Sequence, residues 1–166
     1  MLQASPPRVA ALCAALAVAG PGCHHAVGAP PGHGDLAAAD SLAGTVQVVG
    51  VEAAPMITLV PDGGGRAVTL TGAPVLARVD GLHVAVVGRR VGSALGVERF
   101  TVVAANGLPA TDGRLMAEGD VLYLVTVDGV RHRLVRPSAA LAAHVGGRVW
   151  VSGPIDQEPV AYGIIE

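Results

Sequence analysis

Aromatic and lysine side chains are scarce in this chain. Its 166 residues include one Phe, two Tyr, one Trp and no lysine. Proteins that bind single-stranded nucleic acid stack the bases on aromatic rings inside a basic groove. The formal net charge of -2 also provides no strong field toward nucleic acid or an anionic membrane surface. We therefore expect no nucleic-acid partner.

Cysteine is nearly absent as well. The chain has Cys13 and Cys23, and none follows them. The long body after residue 23 therefore cannot contain an internal disulfide. Its stability must come from burying Val, Leu and Ile side chains.

Motifs for catalysis and cofactor binding are also lacking. Ser93 does not have the spacing of a nucleophile elbow, and the histidines of the body match no zinc-site pattern. Asp112 and Asp120 flank a predicted turn, where aspartates cap backbone groups. We therefore expect no enzyme activity, no cofactor and no metal. A secreted hydrolase-type enzyme without a recognisable motif remains the alternative.

The N-terminus, by contrast, carries a clear pattern. Arg8 is the only charged side chain before an unbroken run of small apolar residues, Val9–Ala19, which is followed by Gly20-Pro21-Gly22-Cys23. A positive start, an apolar segment too short to span a bilayer and small residues at its end are typical of a secretory signal peptide. Residues 1–22 are therefore predicted to be removed.

Cys23 after Gly22 resembles the lipobox of bacterial secreted lipoproteins, although Gly20 and Pro21 depart from the preferred residues. The resemblance implies a lipidated Cys23 that anchors the protein on the periplasmic or outer surface of a membrane. Cleavage after Ala19 is the alternative, and it would release a soluble periplasmic protein. The Pro- and Gly-rich segment 23–43 is predicted to be a flexible tether spanning about 20–25 Å.

An internal repeat organises the body. Residues 56–88 align without a gap onto residues 121–153, at an offset of 65 residues. Glycines that recur at matching places indicate shared turns. The matched pairs include Leu59/Leu124, Gly64/Gly129, Gly81/Gly146, Val84/Val149 and Gly88/Gly153.

Each copy has alternating apolar runs, a hairpin signal at Asp62-Gly63 or Asp128-Gly129, and a short helical segment ending at glycine. The predicted order is three strands, a helix and two strands. This order resembles the OB fold, a small five-stranded barrel. The resemblance implies an all-β protein with two short helices and two tandem OB-like barrels, residues 44–107 and 108–166, meeting near Leu108–Asp112. One larger barrel or sandwich built from both halves is the alternative, because a lone unit of this size is marginally stable.

Tyr123, Trp150, Arg131 and Arg133 form the candidate ligand-binding surface. Aromatic side chains contact sugar rings in oligosaccharide-binding barrels, and guanidinium groups bind anions. The competing interpretation places Trp150 in the core and uses the arginines to protect a strand edge. The sequence predicts a non-catalytic envelope lipoprotein or periplasmic protein that binds a glycan, an anionic ligand or an envelope protein; a purely structural envelope component is another alternative.

The leader provides the first test. We expect mass spectrometry of the mature protein to find a diacylglyceryl-modified Cys23 at its N-terminus, because Cys23 closes the signal segment. A Cys23→Ser variant should lose the modification and leave the membrane fraction. An unmodified chain beginning at Gly20 would contradict lipidation.

Overall fold

Ten β-strands and two short helices make up the described part of the chain. The computed structural model describes residues 39–50 and 55–166; the predicted leader, Cys23 and most of the predicted tether lie outside these ranges. The predicted all-β class with two short helices is confirmed. The elements are β1 (Asp40–Val49), β2 (Met56–Pro61), β3 (Val68–Thr71), a 3₁₀ helix (Pro74–Val79), β4 (His83–Val91), β5 (Ala94–Ala105), β6 (Leu108–Glu118), β7 (Val121–Val125), β8 (Arg131–Arg133), α1 (Ala139–Ala142), β9 (Arg148–Ser152) and β10 (Ala161–Ile164).

The first five strands form a closed barrel. β1 pairs antiparallel with β2 and β4, β2 pairs with β3, and β4 pairs with β5. A short parallel ladder between β3 and β5 completes the circle, with Leu70 opposite Leu95. Val84 and Val86, which alternate along β4, are fully buried inside. The helix lies between the third and fourth strands, as the OB resemblance implies.

Strands β6 to β10 follow the same order but leave a seam. β6 pairs with β7 and β9, β7 pairs with β8, and β9 pairs with β10. Among the described residues no ladder joins β8 to β10. β10 begins only at Ala161, and Pro154 and Pro159 precede it. Proline has no N–H to donate, so Pro154 and Pro159 disfavour a ladder between β10 and β8 like the one that joins β5 to β3 in the first barrel.

The two barrels use equivalent backbone hydrogen bonds. The N–H of Gly81 donates to the carbonyl of Val46 at 2.9 Å, and the N–H of Gly146 donates to the carbonyl of Leu115 at 2.7 Å. Both glycines have positive φ, 76° and 93°, a conformation that favours glycine over other residues. The glycines matched in the sequence therefore occupy matching turns.

Gly44 and Gly113 form a further equivalent pair. A Cβ at Gly44 would lie 2.1 Å from the carbonyl oxygen of Val60, and one at Gly113 would lie 2.4 Å from that of Val125. The gap-free alignment misses this pair because residues 50–55 connect β1 to β2, whereas only residues 119–120 connect β6 to β7. Both glycines allow the first strand of a barrel to approach the second closely.

The boundaries between the segments differ slightly from the prediction. β1 begins at Asp40, so residues 40–43 of the predicted tether are strand, because Leu42 pairs with Val86. The predicted junction at Leu108–Asp112 lies inside β6, and the turn Asn106-Gly107 connects the barrels instead.

The hydrophobic cores show how the barrels join. One cluster fills the first barrel and also includes Trp150 and Ile165 from the second half. Another cluster, with Leu115, Leu124 and Val149, fills the second barrel. Both sheets consequently belong to one compact unit.

The close approach at Gly113 generates a stability prediction. A Gly113→Ala substitution should destabilise the protein by about 1–3 kcal/mol, because the added Cβ overlaps the carbonyl of Val125 and the strands must separate. Urea unfolding followed by circular dichroism measures the change. Gly63→Ala is the matched control, since no atom lies within 4 Å of its Cβ position. Equal stability of the Gly113 and Gly63 variants would contradict the prediction.

Candidate functional site

The strands β5 and β6 diverge immediately after the turn that joins them. Their ladder consists of Ala104 opposite Pro109 and Ala105 opposite Leu108. Beyond these pairs, β5 belongs to the first barrel and β6 to the second. The divergence leaves a fork between the barrels, where the backbone groups of β5 need other partners.

Asp112 lies in β6 and fills this fork. Its side chain is only 3% exposed. Oδ1 accepts a hydrogen bond from the backbone N–H of Val102 at 2.8 Å, and Oδ2 accepts from Nε and Nη2 of Arg148 at 2.8 and 2.6 Å. The prediction that Asp112 flanks a turn was wrong, because Asp112 pairs with Trp150 in the β6–β9 ladder. It nevertheless satisfies a backbone group.

Arg148 completes the connection from β9. Its Nη2 donates to the carbonyl of Phe100 at 2.6 Å, and its guanidinium lies 4.2 Å from the centre of the Phe100 ring. Such a cation–π contact adds to the ion pair. Asp112 and Arg148 of the second barrel thus bind both a donor and an acceptor on β5 of the first.

A cleft of about 730 Å³ opens beside this ion pair. Its walls come from the loop after β3 and the start of the 3₁₀ helix, from β5, β6 and β9, and from the end of β7, and about half of the side chains on them are apolar. The charged side chains at the cleft are Glu98, Arg99, Asp112, Arg114, Arg148 and Glu166.

Several of these charges have partners in the protein. Glu98 pairs with Arg89 at 3.0 Å, and Nη1 of Arg114 donates to the carbonyl of Gly146 at 2.6 Å.

Thr126, the residue after β7, also lines the cleft and donates its hydroxyl to Asp128. This hydrogen bond holds the pKa of the Asp128 carboxyl below its ordinary value.

Three of the four predicted ligand-binding residues lie together. The guanidinium of Arg131 lies 4.4 Å from the centre of the Tyr123 ring, and Arg133 lies directly opposite Tyr123 in the β7–β8 ladder. Arg131 also pairs with Glu118 at 2.5 Å. Tyr123, Arg131 and Arg133 are called the Tyr123 patch below.

Trp150, the fourth predicted residue, lies elsewhere. It is 9% exposed and packs in the core cluster of the first barrel. Along β6, its partner Asp112 and the partner of Tyr123, Met116, are four residues apart, a separation of roughly 13 Å along the strand. The structure therefore does not bring Trp150 to the Tyr123 patch.

The Tyr123 patch adjoins the cleft. Met116 lies opposite Tyr123, and Val125 lies opposite Arg131. Both Met116 and Val125 also line the cleft. The patch and the cleft are neighbouring parts of one outer sheet face.

Sequence reasoning missed Asp112 and Arg148 as partners. At the repeat offset, Arg148 stands where the first copy has His83, and His83 instead contacts Asp62 at 2.6 Å. A charged residue that departs from its repeat was the available signal. It could not reveal the partner, because the ion pair depends on how β5 and β6 diverge.

Within residues 39–50 and 55–166, no group of three or more His, Cys, Asp or Glu side chains is arranged to hold a metal ion. No helix in the same ranges has the length and apolar character needed to cross a membrane. Comparisons with protein-family models, curated proteins and solved structures gave no match.

The fork generates a second stability prediction. Asp112→Ala should cost about 3 kcal/mol, because it leaves Arg148 without its carboxylate and the Val102 N–H without an acceptor. The Asp112→Ala/Arg148→Met double variant should lose less free energy of unfolding than the two single variants lose together, since the two residues act as a pair. Denaturant unfolding of the single and double variants measures this coupling.

Asp120→Ala, at an exposed position, is the control and should change stability by less than about 0.5 kcal/mol. Strictly additive effects of the Asp112 and Arg148 substitutions would show that the pair does not hold the fork.

Proposed function

We propose that this chain is an exported, non-catalytic binding protein of the bacterial cell envelope, and that the cleft between its barrels is the binding site. The cleft carries the proposal. Its volume of about 730 Å³ falls within the roughly 300–1,000 Å³ of small-molecule sites. Such sites combine apolar walls with polar groups that orient the ligand, and in this cleft apolar side chains stand beside six charged residues.

The partners of the acidic groups favour binding over catalysis. Both oxygens of Asp112 accept hydrogen bonds from Val102 and Arg148, and Glu98 is held by Arg89. A general base must reach a proton of the substrate. These two carboxylates are instead engaged by groups of the protein itself.

The proposed location rests on the leader. With residues 1–22 removed and Cys23 lipidated, the anchor would hold the body at the periplasmic or outer surface of a membrane. Cleavage after Ala19 would leave a soluble periplasmic protein with the same cleft. In either form the proposed partner is an envelope ligand, such as a glycan or an anionic molecule, or an envelope protein.

A charge placed in the cleft tests the binding role. Val127 lines the cleft and is 83% exposed, so Val127→Glu should block the cleft with little cost in folding. Native mass spectrometry of the full chain purified from envelopes should find a bound molecule on the wild type and at least tenfold less on this variant.

Val91→Glu is the matched control, because Val91 is 66% exposed and does not line the cleft. It should retain the bound molecule. An unoccupied wild-type chain, or equal occupancy in both variants, would contradict the proposal.

A further inference from the structure

The apolar walls of the cleft come from both barrels. Pro74, Val75 and Val97 belong to the first barrel, whereas Met116 and Val127 belong to the second. Apart from the ring of Phe100, which lies beneath Arg148, the apolar side chains of these walls are aliphatic. A surface of this kind suits a flexible hydrocarbon chain, which gains free energy in proportion to the apolar area that it removes from water.

The charges at the cleft leave an excess of guanidinium. Arg148 is neutralised by Asp112 and Glu98 by Arg89, which leaves the side chains of Arg99, Arg114 and Glu166. Arg99 lies on β5 and Arg114 on β6, so each wall contributes one guanidinium. Neither arginine has a carboxylate within ion-pair distance in the described residues.

Arg114 keeps donors for a ligand. One of its nitrogens binds the carbonyl of Gly146, and a guanidinium carries five N–H donors in all. Guanidinium groups bind carboxylates through paired, charge-assisted hydrogen bonds. Arg99 and Arg114 outnumber the side-chain carboxylate of Glu166, so the unpaired side chains of the cleft favour an anionic head group.

We propose that the cleft binds a medium-chain aliphatic carboxylate, with the hydrocarbon chain between the barrels and the carboxylate at Arg99 and Arg114. The proposal rests on the cleft being the binding site, and it adds the chemical class of the ligand. The Tyr123 patch is then a neighbour of the site, and its arginines do not hold the carboxylate.

Isothermal titration of the full mature chain with decanoate, below its micelle concentration, tests the proposal. The wild type should bind decanoate, and an Arg99→Gln/Arg114→Gln double variant should bind roughly tenfold more weakly or worse, because charge-assisted hydrogen bonds are lost. Arg66→Gln, at an exposed position away from the cleft, is the matched control and should bind like the wild type.

Two further ligands distinguish a carboxylate from other head groups. Octyl glucoside and decyl phosphate should each bind more weakly than decanoate. No binding of decanoate, equal binding of the glucoside, or tighter binding of the phosphate would each overturn the carboxylate assignment. Loss of binding in Arg131→Gln/Arg133→Gln, but not in the Arg99/Arg114 variant, would place the head group at the Tyr123 patch and overturn the proposed site.

Failure of this inference is separable from failure of the binding role. If decanoate does not bind but Val127→Glu still removes a molecule from the chain purified from envelopes, the cleft is a binding site for another ligand class. If neither effect is observed, both proposals fail.

Discussion

The buried carboxylate of Asp112 is the interaction on which the two-barrel arrangement depends. Where β5 and β6 part, a backbone N–H and a backbone carbonyl of β5 lose the partners that a continuous ladder would provide. Asp112 accepts from the first, and Arg148 donates to the second. An unsatisfied backbone group in such a place would cost about 1–3 kcal/mol, so the ion pair allows the strands to diverge. The divergence of β5 and β6 opens the cleft between the barrels.

The two barrels share their turns and core positions but differ at a few residues. Equivalent glycines, turns and core leucines recur in both halves, which explains how a chain with so few aromatic residues builds two cores. The second half differs from the first in the aspartate and arginine at the fork and in the prolines that precede β10. These departures, more than the repeated features, determine what surface the protein presents.

Much of the fold was accessible from the sequence, because period-two alternation and turn glycines are local signals. Val84 and Val86 face inward as the alternation of apolar residues predicts, and the short helical segment before Gly146 is present as α1. The site was harder to predict. Arg131 and Tyr123 come together because one hairpin carries both, whereas Trp150 is buried by a barrel that lies far from it in sequence. Asp112 and Arg148 meet across a strand pairing that no local pattern encodes.

The open seam of the second barrel has a consequence for biosynthesis. The first barrel has every strand paired on both sides. In the second, β8 and β10 each pair with one strand among the described residues, and Trp150 and Ile165 lie in the core of the first. Chains emerge from the ribosome N-terminus first, and their leading portions fold earliest. We therefore expect the N-terminal barrel to assemble first and to reach its final stability only when Trp150 and Ile165 of the C-terminal half complete its core.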